Sequence, residues 1–273
     1  MVRRASVVAA SVMLASACQA YDRAAYEALV DSSSPSDMIA PTCPAPAVAD
    51  YCTSLPALPE APVIDGMLDC GLTLQSIPLD DAHTGHGTPP PGFSVRLAAA
   101  WRPDGIYTYV EVTHSPLVPR SDLAYLYCGD AVEVFLDSDG RFPSAPDFDT
   151  PGTEQFMIAG PTADTSTVGA RYHHGPDGAW TGSFVSRRTA DGFAVETFHQ
   201  ASDLMVSSWT LFPGALVGLD FSIDAGTAVT GDAGVCGTWL AQVTLQRTAP
   251  GMSCGGSPSC NVAAFCRPQL LAE

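Results

Sequence analysis

Gly129-Asp130-Ala131-Val132-Glu133-Val134-Phe135-Leu136-Asp137 is the stretch on which the fold turns. Val132, Val134 and Leu136 alternate with Ala131, Glu133 and Phe135, so apolar side chains gather on one side of an extended chain. Working outward, Ile106, Thr108, Val110 and Val112 alternate with Tyr107, Tyr109, Glu111 and Thr113. Runs of the same kind occupy 155–159, 183–189, 193–198, 217–223 and 239–245, with turn residues between them. Period-two patterning predicts half-buried antiparallel strands, and this many of them need two sheets. No amphipathic crossover helix of the kind a parallel sheet requires is visible. The expectation is an all-β, antiparallel two-sheet β-sandwich of jelly-roll or immunoglobulin-like form, with short helices or none.

Composition agrees. Of 273 residues 46% are apolar and 15% charged, enough for a substantial core, and 24 Gly with 23 Pro suit short strands joined by turns. All twelve basic residues are Arg, against 29 acidic ones. The absence of Lys excludes Schiff-base and Ser-Lys chemistry, and a formal charge of −17 disfavours nucleic acid as a partner. No G-x-S-x-G, phosphate-binding Walker loop or H-E-x-x-H sequence occurs.

The first residues read as an export signal: Arg3 and Arg4, an apolar run over 5–14, then small residues up to Cys18. Leu14-Ala15-Ser16-Ala17-Cys18 is similar to a lipobox, with Leu14 four residues before the Cys instead of three. Ala15-Ser16-Ala17 also satisfies the rule for ordinary signal cleavage. The expectation is a lipoprotein of the outer membrane or cell surface, held to the membrane by a lipid on Cys18, with a secreted or periplasmic protein as the alternative. Lipid on Cys18 leaves eight cysteines, Cys43, Cys52, Cys70, Cys128, Cys236, Cys254, Cys260 and Cys266, an even number suited to four disulfides. No C-x2-C pair supports zinc. The domain plan is a signal peptide over 1–17, a Pro- and Ala-rich spacer over 18–62, a sandwich over 63–247, and a Cys-rich tail over 248–273 tied by disulfides.

Six segments follow one another in order: Val63-Ile64-Asp65-Gly66-Met67-Leu68-Asp69; Trp101 with Ile106-Tyr107-Thr108-Tyr109-Val110; the 129–137 stretch; Gln155-Phe156; Asp191-Gly192-Phe193-Ala194-Val195-Glu196; and Val217-Gly218-Leu219-Asp220-Phe221-Ser222-Ile223-Asp224. Together they resemble carbohydrate-binding module family 9. In the first, the family's Trp is replaced by Leu72. The resemblance implies a glycan partner bound between two aromatic rings, since sugar C–H faces stack on rings while hydroxyls take hydrogen bonds. It places the first ring at Tyr127, a ligand-binding Glu at Glu133 and the second ring at Trp239, with Tyr125 widening the platform. Where the family carries a sugar-contacting Arg and Gln, this chain has Met157 and Ser222.

Cys128 beside Tyr127 and Cys236 ahead of Trp239 suggest a disulfide stapling the two ring-bearing loops. Asp137, Asp139 and Asp149 lie in an oxygen-rich stretch, and the family often holds structural Ca²⁺, which makes calcium the candidate cofactor. Glu196 with Glu133 is read as structural and not as a glycosidase pair, which would have to flank one bond at a set separation. The leading expectation is non-catalytic glycan binding through a rim site. Its rivals are an accessory module in glycoside hydrolysis, a haem-binding redox sandwich using Met157, and a structural envelope lipoprotein with a degenerate site.

Overall fold

A computed structural model describes residues 51–69, 71–79, 84–138, 152–172, 176–206, 208–226, 241–244 and 265–272. In chain order the strands are β1 Ser54–Leu55, β2 Gln75–Ser76, β3 Thr84–Gly87, β4 Ser94–Arg102, β5 Gly105–Thr113, β6 Ala131–Asp137, β7 Thr153–Ala159 and β8 Thr165–Ser166. They continue with β9 Gly169–Tyr172, β10 Pro176–Ala179, β11 Ser183–Arg188, β12 Gly192–His199, β13 Gly218–Ala225, β14 Ala241–Thr244 and β15 Gln269–Leu270. A single 3-10 helix, Leu123–Cys128, precedes β6 among the described residues.

Two antiparallel sheets carry the fold. One has six strands in the order β2-β4-β5-β12-β11-β8, the other seven in the order β10-β9-β7-β6-β13-β14-β3. Between them lie Leu97, Trp101, Val110, Val195 and Phe193 from the first sheet and Val132, Val134, Phe156, Phe221 and Ile223 from the second. These are the apolar members of the alternations, so the period-two reading located the inner faces. The all-β sandwich expectation holds.

The half-buried expectation needs correction. Every residue of β6, β12 and β13 is buried, on both faces. The outer face of the six-stranded sheet carries Ala98, Ala100, Tyr107, Tyr109, Ala194 and Phe198, which pack against Leu58, Ile64, Leu68, Leu72 and Leu74. Trp101 is therefore in the inter-sheet core, while Tyr107 belongs to a second layer beneath residues 58–74. The outer face of the seven-stranded sheet packs against Leu126 and Phe265.

Both chain ends enter the domain further out than 63–247. Tyr51, Leu55 and Leu58 are buried, although the prolines around them had suggested a spacer. Proline removes a donor but does not forbid a short two-residue strand, and β1 pairs in parallel with β15. Phe265 and Leu270 are likewise buried, and Cys52 is disulfide-bonded to Cys266. The last residues thus pack into the core as well as being held by a bridge.

Candidate functional site

Register across the seven-stranded sheet assembles one row from distant parts of the chain. Ala170 on β9 faces Met157 on β7, Met157 faces Glu133 on β6, Glu133 faces Ser222 on β13, and Ser222 faces Thr244 on β14. The three positions where the resemblance placed sugar contacts are cross-strand neighbours. Gln155 donates from Nε2 to Glu133 Oε2 at 2.7 Å. The Ser222 hydroxyl is buried with no hydrogen-bond partner among the described residues. Asp220 and Asp224, two residues to either side, add carboxylates to the same face. Burial pushes the Asp220 carboxyl well above the ordinary carboxylate range, against the hydrogen bond it accepts from the Phe221 N–H.

Tyr127 stands near the end of the 3-10 helix that leads into β6. Asp122 caps that helix by accepting from the Ala124 N–H, and Leu126 anchors it in a cluster with Ala131, Met157, Ala159 and Ala170. Tyr127 is half-buried against this cluster, which includes the Met157 that neighbours Glu133. Burial, then the neighbouring Tyr125, raise the Tyr127 hydroxyl above its usual range, so at neutral pH it remains a donor. Tyr127 and Glu133 therefore share one face of one sheet.

Two expectations change. Tyr125 does not extend a flat platform: the chain kinks at that residue, and its ring lies at 58° to that of Tyr127 with centroids 6.3 Å apart. Glu133 is not at an open rim, being only 2% exposed. Strand alternation specifies that Glu133 faces away from the core but is blind to what covers that face.

Asp130 organises the end of the sheet beside Tyr127. It accepts from His114 Nδ1 at 2.8 Å, from the Gly226 N–H at 2.9 Å, and from the Val118 N–H. A side chain on Gly226 would lie 2.8 Å from the Gly129 Cα, so only glycine permits this approach. The chain thus leaves β13 beside Gly129, adjacent to Cys128 and Tyr127. Cys128 is buried and disulfide-bonded. Its partner is not among the described residues; Cys236 and Trp239 lie outside them, as do Cys43, Cys70, Cys254, Cys260 and the Cys18 lipid position. The Asp130 node escaped the sequence reading because Asp130 looked like one more member of a strand motif, and His114 stood alone in a loop.

Glu196 and Glu133 occupy the outer faces of different sheets, on opposite sides of the core. They cannot flank one bond. Asp137 ends β6 in register with Thr153 and Gly218, whereas Asp139 and Asp149 lie outside the described residues. Among the described residues no three His, Cys, Asp or Glu side chains come together as a metal site.

No family model and no curated protein matches the sequence. In structure the chain is similar to a carbohydrate-binding module family 9 from Caldicellulosiruptor kristjanssonii in complex with cellotriose. The TM-score is 0.56 and the identity 16%, over 81% of this chain and 94% of that one. A structure of such a module from the same organism in complex with glucose gives a TM-score of 0.55 and 16% identity, over 81% and 97% of the two chains. At this identity the likeness establishes the fold.

Proposed function

We propose that the chain is a non-catalytic glycan-binding module whose site lies on the outer face of the seven-stranded sheet. The observation that carries the reading is convergence. Four separate segments bring Tyr127, Met157, Glu133 and Ser222 to one face, and the Ser222 hydroxyl is left without a partner beside the Glu133 carboxylate. A sugar hydroxyl would supply the acceptor or donor that Ser222 lacks among the described residues. Tyr127, half-buried on this face, supplies one ring, and Trp239 is the candidate for the opposing ring. The likeness to sugar-bound modules of the same fold supports this assignment.

Retention on insoluble glycans and calorimetric titration with cello-oligosaccharides test it. Tyr127→Ala should weaken binding about tenfold or more, a loss of ~1.4 kcal/mol, with the fold retained and the thermal midpoint lowered only by the lost packing of a half-buried ring. Glu133→Gln should weaken it further. A folded wild-type protein retained on no glycan would end the proposal and favour a structural envelope protein. That second reading draws on Met157 and Ser222 standing where a longer charged or amide side chain would reach a sugar, and on the burial of the row.

Export, with lipid on Cys18, belongs to the same proposal and predicts loss of membrane association in Cys18→Ser. Structural Ca²⁺ bound by Asp137, Asp139 and Asp149 is proposed with it; a thermal midpoint unmoved by chelator would exclude that ion.

A further inference from the structure

The sandwich has a second concavity, at the edge where β9, β10 and the start of β11 meet the turn after β12. Its volume is about 390 Å³, and Arg171, Trp180, Thr181, Ser183, Gln200 and Asp203 line it. That volume falls within the range of small-ligand sites.

The lining is unusual in what it leaves unused. Arg171 is in register with Phe156, so it issues from the face of β9 turned between the sheets. Its guanidinium makes only a long, 3.5 Å donation from Nη1 to the Asp203 backbone carbonyl. No carboxylate pairs with it among the described residues, in a chain with 29 acidic side chains. The acid that lines the cleft has other partners: Asp203 Oδ1 accepts from Trp180 Nε1 at 3.0 Å and Oδ2 from the Gln200 N–H at 2.8 Å. Asp203 thereby fixes the turn and the indole.

Trp180 offers no ring face. Phe184 stacks on it at 8° and 4.5 Å, and His199 at 1° and 4.8 Å. A neutral sugar would find no stacking surface here and would leave the guanidinium unmatched. A bare small carboxylate would match the guanidinium but leave the hydroxyl and amide rim of Thr181, Ser183 and Gln200 unused. A sugar that bears a carboxylate uses both. The planar fork of an arginine fits a carboxylate with two parallel hydrogen bonds. The Asp203 carboxylate in the same lining opposes an anion, so the paired hydrogen bonds from Arg171 must exceed that repulsion; more distant negative charges of the chain are screened beyond about 8 Å at physiological salt.

We propose that this cleft is a second ligand site, specific for a carboxylate-bearing sugar such as a uronic acid residue, in which Arg171 holds the carboxylate and Thr181, Ser183 and Gln200 meet the ring hydroxyls. It stands apart from the Tyr127 face and does not rest on that reading.

Calorimetric titration of the full chain with D-glucuronate, glucose and acetate tests it. Glucuronate should bind saturably, with glucose and acetate each at least roughly tenfold weaker. Arg171→Gln should weaken glucuronate binding roughly tenfold or more, Arg171→Lys should weaken it less, and Tyr127→Ala should leave it unchanged. Ser202→Trp, at an exposed position of the cleft wall, should block it without touching the core, and decides the matter should the Arg171 variants fold poorly. Saturation by glucose as strong as by glucuronate would overturn the proposal. So would glucuronate binding indifferent to both Arg171→Gln and Ser202→Trp. No glucuronate binding to the wild type would also overturn it, leaving Arg171 an inward-pointing charge one strand in from the β10 edge.

Discussion

The outer faces of the two sheets each carry a buried glutamate following a valine, and the two faces use it differently. On the six-stranded sheet Glu196 accepts three hydrogen bonds: from the Asp65 and Gly66 N–H groups, both at 2.7 Å, and from the Tyr107 hydroxyl at 2.8 Å. Residues 58–74 are thereby fastened over an apolar layer. On the seven-stranded sheet Glu133 takes the Gln155 amide and lies beside a serine hydroxyl without a partner, among further carboxylates. One face is closed by its own chain. The other is covered too, with Phe265 packed on Phe135, but it encloses a polar row and not an apolar layer. The same local sequence word can thus be a clasp or one member of a buried polar row, and the segment packed above it decides which.

The largest effect should come from freeing the cover of the second face. Replacing Cys52 and Cys266 by Ser removes a bridge spanning 214 residues and should cost about 4 kcal/mol in denaturant unfolding. It also loosens Phe265, which packs on Phe135 next to the Glu133 row; a dye that binds apolar surface should report this, and Glu196→Ala should not reproduce it. Glu196→Ala should itself cost about 3 kcal/mol, because the Asp65 and Gly66 amides and the Tyr107 hydroxyl lose their acceptor together. Glycan binding at the Tyr127 face should survive it, measured at a temperature where the variant is folded. Gly66→Ala tests the clasp more gently. Gly66 has φ +81°, and an added Cβ would meet the Arg187 Cβ at 2.7 Å, so a loss of about 1–2 kcal/mol is expected.

The smallest effect is a slope with pH. Burial pushes Glu196 up to about 7 from an ordinary value of 4.5, although the bonds from Tyr107, Gly66 and Asp65 pull it down. The folded chain keeps a proton that the unfolded chain gives up, so this contribution is complete below about pH 4.5 and disappears as pH rises through about 7. Glu196→Gln should flatten that part of the curve. Burial holds His199 down at about 3, which acts in the opposite sense in acid but is shared by both proteins and cancels in their difference. Urea midpoints at pH 4.5 and pH 8 for the pair check the sign.

Alternation made the inner faces legible, because Val132, Val134, Phe193 and Val195 announce a core by spacing alone. It also ordered the candidate row, since Met157, Glu133 and Ser222 each fall on outward positions of their strands. What it could not convey was cover. Glu133 and Glu196 look like solvent-facing residues until Phe265 is packed on the neighbouring Phe135 and the Asp65 and Gly66 amides are bonded to Glu196, contacts between distant parts of the chain with no local signature. The cleft at Arg171 was hidden for a related reason. Its walls come from three strands and a turn, and its meaning lies in a missing partner, which no spacing encodes. The prolines at 56 and 59 misled in the other direction, by disfavouring a strand that needed only two residues.

The pairing of β1 with β15, closed by the Cys52–Cys266 bond, also fixes how the domain would bear load. Tension applied between a point ahead of Cys52 and the residues after Leu270 runs through the covalent bond and along the last few residues of the chain. The ladders of both sheets lie off that path and carry no force while the bond is intact. Reduce the bond, and the pull passes first to the short parallel pair, in shear, and then into the sandwich itself.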